Sequence, residues 1–372
     1  MNLLFATLLL VIIYFAQKKI YKKLWNKNLD AEISFSKDYI ECGESAELVE
    51  VVSNDKFLPL PVFHLKFSVD KSLDFVDKSN SQVTDRYHKN EVFSIMGHER
   101  ITRKLVFMGS NRGVVNVSNA SILVHDFFMT GTYARPIDHS DVIYVFPKKL
   151  NTEKFRLLFR GIIGEIESPR SLVEDPLVFR GVREYQPFDP YRSINWKQSA
   201  KARELMVNMY GFTTDSRVRI MLNLDNDYMI ETNKLLEEAI SLASTFSRML
   251  LEQGVGVSMV TNAKGRDGKT IPDVGEGYEL SHSVKIDKYL AEIKGSEGKE
   301  YFLYMLEKEL SAVKKNVLYL VISPYAKPDL IELLDAMETA KASVHLLVPF
   351  YDEYPFRPNR HYADGWEVPI NV

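Results

Sequence analysis

Arg217 to Asp225 reads RVRIMLNLD, a short and largely apolar run that ends on an acidic residue. A strand buried in a sheet covered on both faces has this look. Downstream, Leu235, Ala239, Leu242, Phe246 and Leu250 recur at steps of four, three, four and four, the apolar stripe of a helix. Gly254 ends that helix, and Val255 to Val260 is a second strand. The pattern goes on to predict a helical region over about Ser283 to Val313, a strand over Val317 to Ile322, a helix over Pro328 to Ala342 and a strand over Val344 to Val348. Strands alternating with helices predict a doubly wound α/β domain with a mostly parallel sheet over 216–350, followed by a tail, 351–372. Ligands of such sheets bind beyond the carboxyl ends of the strands, so the residues after Leu224 are the first place to look for a site.

Upstream the period shortens to two. Ala46 to Val52 (AELVEVV), Val62 to Val69 (VFHLKFSV), Ile101 to Phe107 (ITRKLVF) and Ile122 to Val124 are β-branched and aromatic runs punctuated by Gly, Asn, Asp or Pro. They predict an antiparallel β-sandwich over 31–147. The intervening 148–215 reads as a linker.

The chain opens on Leu3 to Ala16, LLFATLLLVIIYFA, followed by Lys18, Lys19, Lys22, Lys23 and Lys27. A secretory signal would put its charge before the apolar run and a small-residue cleavage site after it. The reverse order predicts an uncleaved single-pass anchor over 1–20 and a basic juxtamembrane segment over 21–30. Positive flanks stay cytoplasmic, which places the bulk of the chain in the cytosol at the cell membrane. Tyr21 and Trp25 fit an interfacial aromatic belt.

Composition agrees with a multidomain protein of a reducing compartment. The 372 residues are 45% hydrophobic and 26% charged, with a formal net charge of −3 and one cysteine, Cys42. That excludes a disordered chain, a polytopic membrane protein and a disulfide framework. The charge balance gives no field for nucleic acid. No GxxxxGK[ST] occurs, and Gly254-Val-Gly256 precedes a strand, so neither nucleotide fingerprint is present. The eight histidines show no metal-ligand spacing.

Between the two predicted domains lies DPLVFRGVREYQPFDPYRSINWKQSAKARELMV, Asp175 to Val207, dense in Arg, Asp and aromatics and without a clean period. Paired Arg and carboxylate beside Tyr185, Phe188, Tyr191 and Trp196 fit a self-stapling loop or a docking surface. This segment resembles the signature of the bacterial domain of unknown function 58 family, with Gly181, Arg183, Glu184, Tyr185, Asp189, Arg192, Ile194, Trp196, Lys197, Ser199 and Ala200 in register. Phe188 stands where the family usually has Gly, and Asn195 where Asp is usual. Asn111-Arg112-Gly113 and Asp126-Phe127-Phe128 are similar to motifs near the end of the family's β domain. The resemblance implies a membrane anchor, though the familiar form has a hairpin of two membrane helices and one is found here. It also implies a von Willebrand factor A-like α/β domain and a non-catalytic adaptor that works with a MoxR-type AAA ATPase on a client protein.

Many von Willebrand factor A domains bind a divalent metal through Asp-x-Ser-x-Ser after the first strand. Here the position reads Asp225-Asn226-Asp227-Tyr228-Met229. Asp225 and Asp227 could hold Mg; Met229 could not. The alternative is that Asp225 caps the following turn and helix. An apolar strand followed by Asp-x-Asp also opens phosphatase-like, metal-dependent hydrolases, which would use Asp225 and Asp227, but the chain lacks the acidic pair such chemistry needs later on. The sheet end and the Arg183–Lys197 surface are expected to form one composite docking site. On the other reading, Arg183, Glu184, Asp189, Arg192 and Trp196 fasten the linker.

Overall fold

A computed structural model describes residues 2–137, 141–166, 174–186, 189, 191–212, 217–225, 233–296, 298–314, 316–351, 356 and 359–369. The chain divides into two compact units, Met1–Lys148 and Lys149–Val372.

The first unit opens with α1 (Asn2–Leu24) and continues through β1 (Leu29–Phe35), β2 (Tyr39–Glu41), β3 (Ser45–Asn54), β4 (Leu60–Asp70), β5 (Leu73–Phe75), β6 (Ser81–Val83), β7 (Arg86–Ile95), β8 (Glu99–Gly109), β9 (Gly113–Asn116), β10 (Ser118–His125), β11 (Thr132–Pro136) and β12 (Val142–Phe146). An antiparallel sheet in the order β1-β3-β8-β5 and a second in the order β11-β10-β4-β7-β6 enclose a common core. Alternate residues of β3 and β7 are buried, as period-two strands with one face inward require. Leu48, Val52 and Phe107 come from the first sheet; Phe63, Leu65, Phe67 and Ile122 come from the second. A small sheet, β2-β12-β9, completes the unit.

Leu4–Leu24 is long and apolar enough to cross a membrane. One residue of its last turn, Tyr21, packs into the β core. That residue is buried among the sandwich side chains and donates its hydroxyl to the Pro59 carbonyl at 2.8 Å, while Trp25 stacks on Tyr133. The helix thus runs four residues past the expected end of the anchor.

The second unit contains α2 (Glu153–Ile166), β13 (Glu174–Glu184), α3 (Trp196–Ala202), β14 (Met206–Phe212), β15 (Arg217–Leu222), α4 (Asn233–Glu252), β16 (Gly256–Thr261), β17 (Ala263–Lys264), β18 (Val274–Gly277), α5 (Ser281–Glu292), β19 (Gly295–Ser296), α6 (Lys299–Ser311), β20 (Val317–Ile322), α7 (Pro328–Thr339), β21 (Ser343–Tyr351) and β22 (Ala363–Val368). Its sheet runs β18-β16-β15-β20-β21-β22, parallel except for the β18 edge. Val218, Ile220 and Leu222 face a core formed with α2, α4 and α5; Met221, Val260 and Tyr319 face one formed with α6 and α7. Helices therefore cover both faces, and strand order reverses between β15 and β20, where ligand crevices open in such sheets.

Three boundaries differ from the expectation. Residues 148–215 hold α2, whose Phe155 and Phe159 pack on Phe246 of α4. Lys149 adds a buried ion pair to Asp287 of α5 at 2.6 Å, with Ser244 beside it. The tail supplies β22, because Trp366 and Val368 bury against the same core and Trp366 Nε1 donates to Glu238. The helical region over 283–313 is two helices, broken where Gly298 adopts φ +95°.

Candidate functional site

The signature segment forms a two-stranded antiparallel hairpin, β13 with β14, whose long connection carries a 3₁₀ turn (Tyr191–Ser193) and α3. Arg183, at the end of β13, grips Asp189 with both guanidinium nitrogens at 2.6 Å and also donates to the Glu184 carbonyl at 3.0 Å. Asp189 accepts as well from the Gln186 backbone N–H at 2.8 Å. Burial works against ionisation of Asp189, but these hydrogen bonds and the charges of Arg183 and Arg160 outweigh it and hold its carboxyl below the usual range.

Asn195 caps α3 by accepting from the Gln198 N–H at 3.0 Å, and its amide donates to the Asn208 side chain at 2.6 Å. An aspartate could accept from the helix but could not donate across to β14 in this way, which accounts for Asn at the position. Ser199, buried, accepts from the Met206 N–H and donates to the Asn195 carbonyl, both at 2.8 Å. Ile194 and Val207 are buried beneath them. Gly181 pairs with Met209 within the hairpin. Glu184 and Lys197 are exposed, and the Arg192 side chain lies outside the described residues.

The aromatic residues point elsewhere. Trp196 is 68% exposed and Tyr191 76% exposed, with Leu205 also uncovered. The Tyr185 and Tyr191 rings stack at 6.0 Å. The segment thus spends its paired charges inward and presents aromatic area outward.

At the sheet end, three neighbouring parallel strands each give way to a small polar residue: Asn223 after β15, Asn262 after β16 and Ser323 after β20. All three are fully buried. Asn262 donates to the Asn223 side-chain oxygen at 2.8 Å and to the Gly298 carbonyl at 3.2 Å, and it accepts from the Leu224 N–H at 2.8 Å. Asn223 donates to Ser323 at 3.0 Å and accepts from the Asp225 N–H at 3.0 Å. Ser323 in turn donates to the Tyr325 carbonyl. Each of these amides answers another, so the network closes on itself.

Beyond it sits Tyr325, buried, donating its hydroxyl to Asp329 with Lys299 and Lys327 above its ring. Burial first, then the hydrogen bond to Asp329 and the charges of Asp329, Asp225 and Glu300, push its pKa up. Asp225 is thus placed at the crevice, and Asp227 lies outside the described residues. Among the described residues no three His, Cys, Asp or Glu side chains gather as a metal site. The oxygens beside Asp225 are engaged with one another, and two ammonium groups stand over Tyr325. Of the expected Mg pair Asp225 alone is among the described residues, and one carboxylate does not by itself make a divalent-cation site. The Arg183–Asp189 and Asn195–Asn208 bonds lie within the hairpin and the Asn223–Asp225 bond within the sheet end, so among the described residues these bonds do not join the two halves of the expected composite site.

Sequence reading reached the hairpin and Asp225 but not Asn223, Asn262, Ser323 or Tyr325. The available signal was three apolar strands each stopping on a small polar residue.

No protein-family model matches the chain, and no curated protein matches it. Among solved structures it is similar to the CARDB domain of a Pyrococcus furiosus protein in complex with di-metal ions, at 13% identity over 32% of this chain and 93% of that one, with a TM-score of 0.22. A cohesin module of a Clostridium perfringens family 33 glycoside hydrolase is similar at 12% identity over 32% and 96%, TM-score 0.24. A non-cellulosomal cohesin from Archaeoglobus fulgidus is similar at 12% identity over 35% and 97%, TM-score 0.23. Scores this low transfer nothing to this chain.

Proposed function

We propose that this protein is a membrane-anchored, non-catalytic adaptor whose signature hairpin docks a protein partner, a MoxR-type AAA ATPase. One observation carries the docking reading: Trp196 and Tyr191 stand exposed on a hairpin that Arg183–Asp189 and Asn195–Asn208 hold in shape. A braced aromatic patch is what binding hot spots are made of, because little side-chain freedom is lost when it is covered. The resemblance to the domain of unknown function 58 family supplies the identity of the partner and the von Willebrand factor A-like character of the α/β unit. Tyr21 and Trp25 support an uncleaved anchor, since the helix end packs in the sandwich core. The five lysines after the apolar run put the rest of the chain in the cytosol.

The test is capture of partners by the full-length protein from its own membranes, read by mass spectrometry. Wild type recovers an AAA ATPase, a Tyr191→Ala, Trp196→Ala double variant loses it, and an Asp225→Ala, Asp227→Ala double variant keeps it. Loss only in the aspartate variant moves the contact to the sheet end. Recovery of no ATPase by any form rejects the adaptor reading.

A further inference from the structure

The turn between β10 and β11, residues 126–131, is held by a dense set of hydrogen bonds. Asp126 is fully buried and accepts from the Thr130 N–H at 2.8 Å, from the Thr130 hydroxyl at 3.0 Å and from Gln17 of α1 at 3.5 Å. Met129 N–H closes the turn on the Asp126 carbonyl at 2.9 Å, and Asp126 N–H reaches the Gly131 carbonyl at 3.1 Å. Met129 adopts φ +57°, a left-handed conformation that costs a side-chain-bearing residue roughly 1 kcal/mol. A Cβ on Gly131 would lie 2.9 Å from the Asp126 carboxylate, so a larger residue there would have to displace the group on which the turn is built. All this holds up Phe127, Phe128 and Met129, of which Phe127 is 61% and Met129 66% exposed.

The turn stands beside the apolar helix. The β10–β11 hairpin stands beside α1: Tyr133 stacks on Trp25, just past the helix, and reaches the Lys18 carbonyl, and Phe128 meets Tyr14 at 6.4 Å between ring centroids. Tyr14 is one helical turn on the apolar side of Lys18, a distance of about 6 Å at ~1.5 Å per residue. The ammonium groups of Lys18 and Lys19 mark the level at which the helix leaves the hydrocarbon. The tip of the turn therefore lies at or below that level, on the lipid side.

We infer that Phe127, Phe128 and Met129 form a second membrane-inserting element, a wedge that enters the acyl boundary of the bilayer beside α1 and fixes how the β unit stands on the membrane. Aromatic side chains on a polar-anchored turn are suited to that interface. A single helix leaves a domain free to swivel about its axis; a wedge a few residues wide, fastened to the same helix through Gln17 and Tyr14, removes that freedom. The inference rests on the anchor reading of α1 and extends it to a second point of contact.

The experiment uses the full-length chain, with Cys42→Ser to remove the native thiol, reconstituted in vesicles of equimolar phosphatidylethanolamine and phosphatidylglycerol. Nitroxide labels are placed singly on Ile12→Cys, Phe127→Cys, Met129→Cys and Phe57→Cys, and their collision rates with oxygen and with a water-soluble nickel chelate are compared. Phe57 is 90% exposed on the same unit and serves as the aqueous reference. The expected result is an oxygen-to-nickel ratio at Phe127 and Met129 raised severalfold over Phe57 and approaching that at Ile12. Ile12 in lipid with Phe127 and Met129 in water overturns the wedge and leaves the anchor standing. Ile12 itself in water overturns both.

Discussion

The signature hairpin and the sheet end are two polar places in the α/β unit, and they use polarity in opposite ways. At the sheet end Asn223, Asn262 and Ser323 face inward and answer one another, so their polar groups are spent within the fold. In the hairpin Arg183, Asp189, Asn195 and Ser199 are engaged too, yet they brace a scaffold that leaves Tyr191 and Trp196 outside. A dense motif of charges does not mark a charged binding surface here. The charges hold the shape, and the aromatic residues between them are what a partner would meet.

The comparison can be broken most easily at the sheet end. Asn262→Ala removes three hydrogen bonds and leaves the Leu224 N–H buried without its acceptor. We expect a loss of about 3 kcal/mol in thermal unfolding of the detergent-solubilised chain. A change below about 1 kcal/mol would mean that water reaches the crevice and that the network is open after all.

The β unit supplies a polar group that is not answered. Glu50 is fully buried, neither carboxylate oxygen has a hydrogen-bond partner, and burial, with the charge of Glu91 adding to it against Arg103 and Lys89, pushes its pKa up to about 8. A folded pKa above the unfolded one stabilises at low pH, and that stability is lost as pH rises from the unfolded value, about 4.3, toward 8. Glu50→Gln stays neutral throughout. It should therefore gain on wild type by about 2 kcal/mol between about pH 6 and about pH 7.5, at roughly 1.4 kcal/mol per pH unit. Parallel pH profiles for the two proteins would show that Glu50 is already ionised when folded.

Asp189 gives the opposite sign. Its folded pKa is depressed, so the Arg183 clamp contributes above the unfolded carboxylate range, about 3.9, and is lost as pH falls through the lower folded value. Arg183→Ala strands an Asp189 side chain that is only 8% exposed. Arginine is itself a third exposed, which cuts the cost of the lost pair from a buried-pair value to about 1.5 kcal/mol at pH 7. Wild type and variant should converge in acid. A difference that persists at pH 2 would assign the effect to packing of the guanidinium and not to the ion pair.

Much of the scaffold was legible because it rests on periodicity. The strand at Arg217–Leu222 and the apolar stripe of α4 read directly from spacing. Elements fixed by long-range packing did not. The α2 helix is amphipathic, but nothing local says that Phe155 will meet Phe246 and Trp366. The β22 strand is short and marked only by its place beside β21. Tyr21 looked interfacial because its sequence neighbours are lysines; its burial depends on Pro59, thirty-eight residues away. In the candidate site the residue types were legible and their directions were not. A guanidinium beside two carboxylates fits a clamp and a docking point equally well until the geometry gives Asp189 both of its nitrogens.

Trp196 separates clamp from contact with the smallest change in stability. It is the first residue of α3, 68% exposed, and Asn195 supplies the cap without it. Trp196→Ala should alter the melting free energy by no more than about 0.5 kcal/mol, as surface substitutions do, while capture of the ATPase falls sharply. Arg183→Ala should do the reverse in proportion: it costs stability, and it weakens capture only as far as the hairpin loosens. If Trp196→Ala destabilises the chain as much as Arg183→Ala, the tryptophan is part of the brace. The hairpin would then be, like the sheet end, a structure that faces inward throughout.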